Sequence, residues 1–293
     1  MCSCTHAKSA NGSYAQKNEQ TPEEVLKSAI RILLLCFCIS SAGSAQTQDT
    51  LYTDRPLFTS GDAWLAGGFV AASAIAAPLD EWLMKELQLE SRQANRFLQK
   101  TATAARVWGN PGTLGAGGGL YLMGTATGNR RMQDLGLHSS GAVILANVVT
   151  VGMKMVAGRT RPYVDSTDAR DFQLLRGLRD GDYRSFPSGH STAAFAFASV
   201  VTAETSHWWP GARWPVGILT YGTAALTGVS RIYNHDHWAT DVVVGAAVGT
   251  ITGLKLFRYQ HSHPDNRIDN TFLRAGLQST GGKWNVLLSV APR

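Results

Sequence analysis

The chain has 293 residues, of which 27 are Lys or Arg and 21 are Asp or Glu, giving a net charge of +6. Hydrophobic residues make up 44% and charged residues only 16%, against roughly 25% in an ordinary soluble domain, which excludes a disordered chain and favours buried helices or membrane contact. No Lys/Arg-rich run or aromatic–basic repeat is present, so nucleic acid is a poor candidate partner, whereas an anionic small molecule or lipid surface suits the mild positive charge.

The first 45 residues combine a polar leader with the three parts of a secretory signal. Lys27 and Arg31 precede a short apolar run at 32–39, and small residues follow up to Ala45. Because this run is apolar enough to enter a translocon but too short to span a bilayer, we predict cleavage after Ala45 and export to the periplasm or cell envelope. An uncleaved signal anchor is the alternative.

The cysteines of the chain all lie in this leader. They are Cys2, Cys4, Cys36 and Cys38. The mature chain would therefore contain no disulfide framework, no cysteine-ligated zinc and no thiol nucleophile.

Six weakly apolar stretches of helical length follow, and none shows the alternation of a strand. They span residues 63–78, 108–126, 141–156, 186–203, 216–230 and 242–257. The stretches approach the roughly 20 apolar residues of a membrane helix, but small and polar residues dilute them. Basic residues after the second, fourth and sixth suit cytoplasmic loops, whereas a cleaved signal would place these loops on the opposite side. We therefore expect a mostly soluble, envelope-located helical domain, with an integral inner-membrane protein as the alternative.

The segments between and after these stretches differ in character. Residues 80–106 predict one or two polar amphipathic helices, and residues 163–185 form a charged connection without periodicity. In the tail, residues 272–277 and 284–290 flank a Ser-Thr-Gly-Gly sequence, which predicts a two-stranded hairpin. The predicted organisation is a signal segment at 1–45, a helical domain at 46–257 and a tail at 258–293.

Lys154 and the pair Arg161-Pro162 form the first of three clusters that carry chemistry. The lysine and arginine are seven residues apart, which would place them two turns apart on one helix face, and Pro162 would end that helix. Two such cations suit the oxygens of one phosphate, and arginine can bind two oxygens at once. A solvated basic helix end is the alternative, and this cluster taken alone would favour it.

The second cluster, Pro187-Ser188-Gly189-His190, opens the fourth apolar stretch. Serine is a good N-cap, and the backbone N–H groups of a helix start attract an anion. Gly189 has no side chain to block an anion, and His190 at the rim could give or take a proton near neutral pH. The alternative is an ordinary N-cap beside a surface histidine.

The third cluster is Ser230-Arg231 followed by His237 and Asp241. His237 and Asp241 are four residues apart, so they would meet on one helix face. A carboxylate beside an imidazole fixes its tautomer and raises its basicity. The alternative is a zinc or iron site formed by these two residues with His235 and Asp236.

The three clusters read Lys-x6-Arg-Pro, Pro-Ser-Gly-His and Ser-Arg-x5-His-x3-Asp, in this order, between Lys154 and Asp241. This pattern resembles the type 2 phosphatidic acid phosphatase (PAP2)/vanadium haloperoxidase superfamily over about residues 57–257, with every motif position filled. The resemblance implies an all-α, PAP2-like helical bundle, here followed by the short hairpin-like tail. It also implies one active site built from all three clusters.

The resemblance assigns a role to each motif residue. It implies that His237 is the nucleophile and forms a phosphohistidine, that Asp241 orients it, and that His190 protonates the leaving oxygen. The residues implied to hold the phosphate are Lys154, Arg161, Ser188, Gly189 and Arg231.

The function predicted is a phosphatase of the acid phosphatase or phosphatidic acid phosphatase type, acting on phosphate monoesters, lipid phosphates or pyrophosphates. Fixed cations and a helix N-terminus can stabilise the phosphoryl group, so we expect no metal and no cofactor. Vanadate would be a cofactor only if the chain were a haloperoxidase, an alternative against which its modest length argues. A non-catalytic envelope protein that binds anionic lipid is the third alternative. The expected partner is a phosphorylated lipid or small phosphoester, with membrane contact and no nucleic acid.

Overall fold

The computed structural model describes residues 57–263, 266–272, 275–280 and 283–288. The leader, its cleavage point and the cysteines lie outside these residues, so export stays a prediction. The described chain is predominantly helical, which confirms the all-α fold class. Its helices are α1 (Ser60–Ala76), α2 (Asp80–Leu87), α3 (Glu90–Gln93), α4 (Arg96–Val107), α5 (Thr113–Thr127), α6 (Arg130–Ala157), α7 (Gly189–Trp208), α8 (Arg213–Tyr233), α9 (Ala239–Ser262) and α10 (Arg267–Phe272).

Each of the six apolar stretches corresponds to a helix, and the differences lie at the ends. The 108–126 stretch begins with a π-turn, Trp108–Gly112, before α5. Helix α6 begins well before the apolar run at 141, because Asn129 caps it by accepting a hydrogen bond from Met132 N. The amphipathic segment 80–106 forms three helices rather than one or two, and Asn95 caps the last of them.

The tail contains a short antiparallel hairpin. Strand β1 (Ala275–Thr280) pairs with β2 (Lys283–Leu288), with Ala275 opposite Leu288 and Thr280 opposite Lys283. The first strand begins three residues later than predicted, because residue 272 ends α10.

Helix α7 lies at the centre of the bundle and packs against α6, α8 and α9. Its alanine-rich sequence is buried along most of its length. Helix α9 approaches it closely through Gly245, Gly249 and Gly253, which are four residues apart on one face. A Cβ atom at these glycines would lie 2.5, 2.3 and 2.9 Å from α7 backbone oxygens, closer than any side chain can pack. This glycine seam fixes α9 against the N-terminal half of α7.

Three helical segments among the described residues are long and apolar enough to cross a membrane: Ser60–Leu87, Arg130–Ala157 and Ala239–Ser262. Helix α6 also exposes a row of large apolar side chains: Ile144, Leu145, Val148, Val149, Val151 and Val156. A water-facing helix would not expose so many apolar residues together. These surfaces favour the integral-membrane alternative over the mostly soluble domain.

Candidate active site

The three sequence clusters converge at one end of the bundle. Lys154 lies in the last turn of α6, Ser188 and His190 begin α7, and Arg231 lies in the last turn of α8. His237 lies in the turn that leads into α9, where Asp241 occupies the first turn. One loop and four helix ends therefore supply the predicted residues.

Lys154 and Arg161 do not share a helix face as predicted. Helix α6 ends at Ala157, and Gly158 follows in the left-handed conformation with φ of +58°. A Cβ there would lie 2.0 Å from the Gln173 backbone oxygen, so only glycine fits this turn. The helix is therefore ended by Gly158 rather than by Pro162, and Arg161 reaches the site from the loop beyond.

Lys154 faces the start of α7. Its Nζ donates hydrogen bonds to the backbone oxygens of Arg184 at 2.7 Å and Ser185 at 3.3 Å. A Cβ built on Gly189 would lie 3.8 Å from Lys154 Cε, an ordinary contact distance. The ammonium group and the N-terminus of α7 thus lie side by side, and both attract an anion.

Ser188 caps α7 as predicted. Its Oγ accepts from Ser191 N at 3.4 Å, and its own backbone N–H donates to the Asp241 backbone oxygen at 2.9 Å. Ser188 is fully buried, so these contacts fix the helix start directly against α9. The cap therefore links the second cluster to the third.

His237 and Asp241 meet, but not through the helix-face spacing proposed above. His237 precedes α9, whose N-cap is Trp238, and the Asp241 carboxylate accepts from Trp238 N at 2.9 Å. Capping turns the chain so that His237 Nδ1 lies 3.5 Å from Asp241 Oδ2, longer than a normal hydrogen bond. Both residues are buried, at 3% and 0% exposure. The carboxylate is thus set behind the imidazole on its Nδ1 side.

Burial and, to a lesser extent, the Lys154 cation outweigh the opposing effect of Asp241 and together lower the pKa of His237 to about 3. The imidazole is therefore neutral at physiological pH. With Nδ1 facing a carboxylate, Nε2 retains the lone pair, which is the form a nucleophile needs.

Arg161 and Arg231 share one acidic partner. Arg231 Nη2 donates to Asp236 Oδ2 at 2.7 Å, and Arg161 Nη1 lies 3.7 Å from Asp236 Oδ1. The other two buried nitrogens of Arg231, Nε and Nη1, have no hydrogen-bond partner among the residues that the structure describes. Two unsatisfied guanidinium donors in a buried position are what a bound anion would satisfy.

The geometry does not favour the metal alternative at 235–241. Asp236 holds two arginines, and the Asp241 carboxylate is occupied by hydrogen bonds behind His237. These carboxylate oxygens already accept hydrogen bonds from cations and N–H groups, which leaves them little capacity to bind a metal ion. His235 turns the chain with a left-handed φ of +64°, and its buried Nε2 finds no hydrogen-bond partner in the described ranges.

His190 is half-buried at the start of α7. Burial, followed by the nearby cations led by Arg231 and Lys154, lowers its pKa to about 4. Because nearby cations contribute to the low pKa, an anion that binds among them would raise the pKa of His190.

Sequence reasoning missed Arg159, a buried arginine beside the motif. Its Nη2 donates to Asp80 Oδ2 at 2.8 Å and its Nη1 to Asp241 Oδ1 at 2.5 Å. It also donates to Thr240 Oγ1 at 2.7 Å and to the Ala169 backbone oxygen. Arg159 therefore orients Asp241 and connects it to α2. The one available signal was a second arginine two residues before Arg161, in a chain with few charges.

Comparisons with known proteins agree with the motifs. Residues 136–264 match the PAP2 superfamily, which confirms the resemblance inferred above. A lipid A 1-phosphatase of Porphyromonas gingivalis is 38% identical over 39% of this chain and 21% of its own length. Lipid phosphate phosphatase 1 of Arabidopsis thaliana is 27% identical over 49% of this chain and 49% of its own length. A PA-phosphatase related-family protein of Dictyostelium discoideum is 26% identical over 55% of this chain and 64% of its own length.

The chain thus spans between a fifth and two thirds of the length of these curated relatives. Among solved structures, a transmembrane PAP2-type phosphatidylglycerolphosphate phosphatase from Bacillus subtilis aligns with a TM-score of 0.43 at 18% identity. That alignment covers 82% of this chain and 98% of the other.

Proposed function

We propose that this chain is a metal-independent phosphatase that hydrolyses phosphorylated lipids, and other phosphate monoesters more weakly, through a phosphohistidine at His237. The observation that carries the proposal is the buried, neutral His237 backed by Asp241, beside an arginine with two buried unsatisfied donors. The curated relatives described above are named as phosphatases, which favours this activity over a haloperoxidase.

The phosphoryl group binds first. Arg231, Arg161 and Lys154 supply positive charge, and the N-terminus of α7 supplies backbone N–H donors. The anion satisfies Nε and Nη1 of Arg231, the two nitrogens that Asp236 does not contact. These fixed cations also stabilise the extra charge of the trigonal-bipyramidal transition state.

His237 Nε2 then attacks phosphorus, forming the N–P bond while the bond from phosphorus to the alcohol oxygen breaks. His190 gives its proton to that oxygen. The phosphate dianion offsets the effect of Arg231 and Lys154 on His190, so the low pKa of His190 rises when substrate binds. In the second step water attacks phosphorus, His190 accepts a proton from it, and the N–P bond breaks to free His237 and inorganic phosphate.

A lipid substrate is the class that the surface favours. The exposed apolar side chains of α6 and the membrane-length helices would place the site near a bilayer, where lipid phosphates present their head groups.

The test is phosphate release by the purified full chain in detergent, from a short-chain phosphatidic acid and from nitrophenyl phosphate, with EDTA in excess. We expect turnover in EDTA, competitive inhibition by vanadate, and a loss of at least about 10³-fold in kcat for His237→Asn. His263→Asn changes an exposed histidine outside the site and should match the wild type. Rapid denaturation in base should trap an alkali-stable, acid-labile phosphoprotein that His237→Asn lacks. Activity lost in EDTA and restored by zinc or magnesium would refute the proposal.

A further inference from the structure

A second cluster of ionisable side chains lies at the other end of the same helices. Helices α6, α7 and α9 each carry an active-site residue near one end, and His138, Glu204 and His261 near the other. A rise of about 1.5 Å per residue separates the two clusters by about 20 to 30 Å along the helices. The far cluster therefore takes no part in the phosphoryl chemistry proposed above.

The ligand atoms of the far cluster converge. His138 Nδ1 lies 2.5 Å from Glu204 Oε1, and His261 Nε2 lies 3.1 Å from both oxygens of Glu204. One ligand atom from each residue lies within 4.8 Å of the other two. Ligand atoms around a tetrahedral zinc ion bound at about 2.0–2.2 Å are separated by roughly 3.3–3.6 Å, so small shifts would admit an ion.

The acidic side chains of this cluster are buried, so keeping them ionised costs free energy unless a positive charge lies beside them. Glu204 is fully buried and His138 is 4% exposed, and a third acidic residue, Asp269 of α10, is 7% exposed beside them. His138 Nε2 lies 3.3 Å from Asp269 Oδ1, yet within the described part of the chain neither atom has a hydrogen-bond partner. Donating to Glu204 and Asp269 together takes two N–H groups, so without an ion the imidazole must carry the additional positive charge itself.

A metal ion would supply this positive charge in place of the second ring proton. If His138 Nδ1 binds the ion, its proton resides on Nε2 and points to Asp269, the carboxylate–histidine–metal arrangement common around metal sites. Asp269 is itself held by Asn266, whose Nδ2 donates to Oδ2 at 2.7 Å and whose Oδ1 accepts from Asp269 N at 2.9 Å. Both buried unpaired atoms would thereby gain partners.

We propose that His138, Glu204 and His261 bind one zinc-like divalent transition metal ion, with Asp269 as the carboxylate behind His138. Two imidazoles and one carboxylate form a ligand set that suits zinc and leaves a fourth position for water. The ion joins α6, α7 and α9 at the end opposite the active site and connects α10 to them through Asp269.

The test is isothermal titration calorimetry. The full chain, without a tag, is stripped of metal in detergent and then titrated with Zn²⁺. We expect one ion per chain, a Zn²⁺-dependent rise in Tm, and affinity at least about 10-fold weaker in Glu204→Gln. His263→Asn is the matched control and should bind as the wild type does. His237→Asn should also bind normally, because it alters the opposite end of the bundle.

Two outcomes would overturn the proposal. The first is the absence of stoichiometric zinc binding, in which case the cluster is a protonated histidine paired with carboxylates. The second is equal zinc affinity in the wild type and in Glu204→Gln. If Glu204→Gln does not fold, X-ray absorption of the zinc-loaded wild type decides, since two imidazole ligands are required. Binding is measured without turnover, so the result is independent of the phosphatase proposal. Chelation should lower Tm while phosphatase activity well below Tm persists.

Discussion

Replacing Arg159 by methionine tests whether the buried ion network, rather than the motif residues alone, holds the active site together. The substitution keeps much of the side-chain length but removes the guanidinium that lies between Asp80 and Asp241. Those carboxylates are 2% and 0% exposed, so neither can turn to water for solvation. The variant therefore leaves two buried acidic groups without their cation.

The expected cost follows from that burial. Removing one partner of a buried ion pair typically costs about 3–5 kcal/mol, because the remaining charge is uncompensated. A loss of about 4 kcal/mol changes the unfolding equilibrium by roughly 10³-fold. Adding Asp80→Asn to Arg159→Met removes one of the stranded carboxylates. The double variant should therefore be at least about 1 kcal/mol more stable than the sum of the two single losses predicts.

The measurement is unfolding of the purified chain in mixed micelles, followed by tryptophan fluorescence, together with turnover of nitrophenyl phosphate. Arg179→Met is the matched control, because Arg179 is an exposed arginine of the same connecting segment. We expect Arg159→Met to lower kcat more than it changes KM, since Asp241 loses its orientation while the phosphate-binding cations remain. A destabilisation below about 1 kcal/mol, or strictly additive losses in the double variant, would refute the reasoning.

Three further predictions follow from the site and the leader. His190→Ala should reduce turnover of alkyl phosphates far more than that of nitrophenyl phosphate, whose leaving group needs no proton, and equal losses would count against His190 as the general acid. Because the pKa of His237 is lowered to about 3 in the folded chain, the unfolded chain takes up a proton first as pH falls from about 6.5. The contribution of neutral His237 to the free energy of unfolding should therefore be fully present above that pH and should be lost as the pH falls towards 3. His237→Asn should make this decline shallower, as measured by unfolding the protein at a series of pH values. Mass spectrometry of the mature chain should find an N-terminus just after Ala45, and an intact Met1 in a cytoplasmic fraction would contradict export.

The motif spacing predicted which residues lie together in the site, but not the local backbone structure that brings them together. Lys154 and Arg161 were expected on one helix, yet the left-handed Gly158 ends α6 between them. His237 and Asp241 meet through the capping of α9 rather than across a helix face. Periodicity describes uninterrupted helices, whereas both contacts form where a helix begins or ends.

The partners of the motif residues were beyond the reach of the sequence. Arg159 and Asp80 are far apart in the chain, and their pairing depends on how α2 packs beside α9. The far cluster of His138, Glu204 and His261 draws one residue from each of three helices, with no local spacing to reveal it. Contacts between distant segments are set by tertiary packing, which a single sequence does not display.

The glycine seam between α7 and α9 determines which side of the active site can change shape to accommodate a substrate. The seam leaves no room between the two backbones, and the hydrogen bond from Ser188 N to the Asp241 backbone oxygen joins the two helices at the active-site end of the seam. A head group therefore cannot pass between these helices. The opposite wall is the 159–185 connection, built from turns and side-chain hydrogen bonds, with Leu174 and Leu178 exposed on its surface. We expect discrimination among head groups to be a property of that connection. Exchanging its residues 163–183 between relatives, with Arg159 and Arg161 kept, should transfer substrate preference while leaving the chemical step in place.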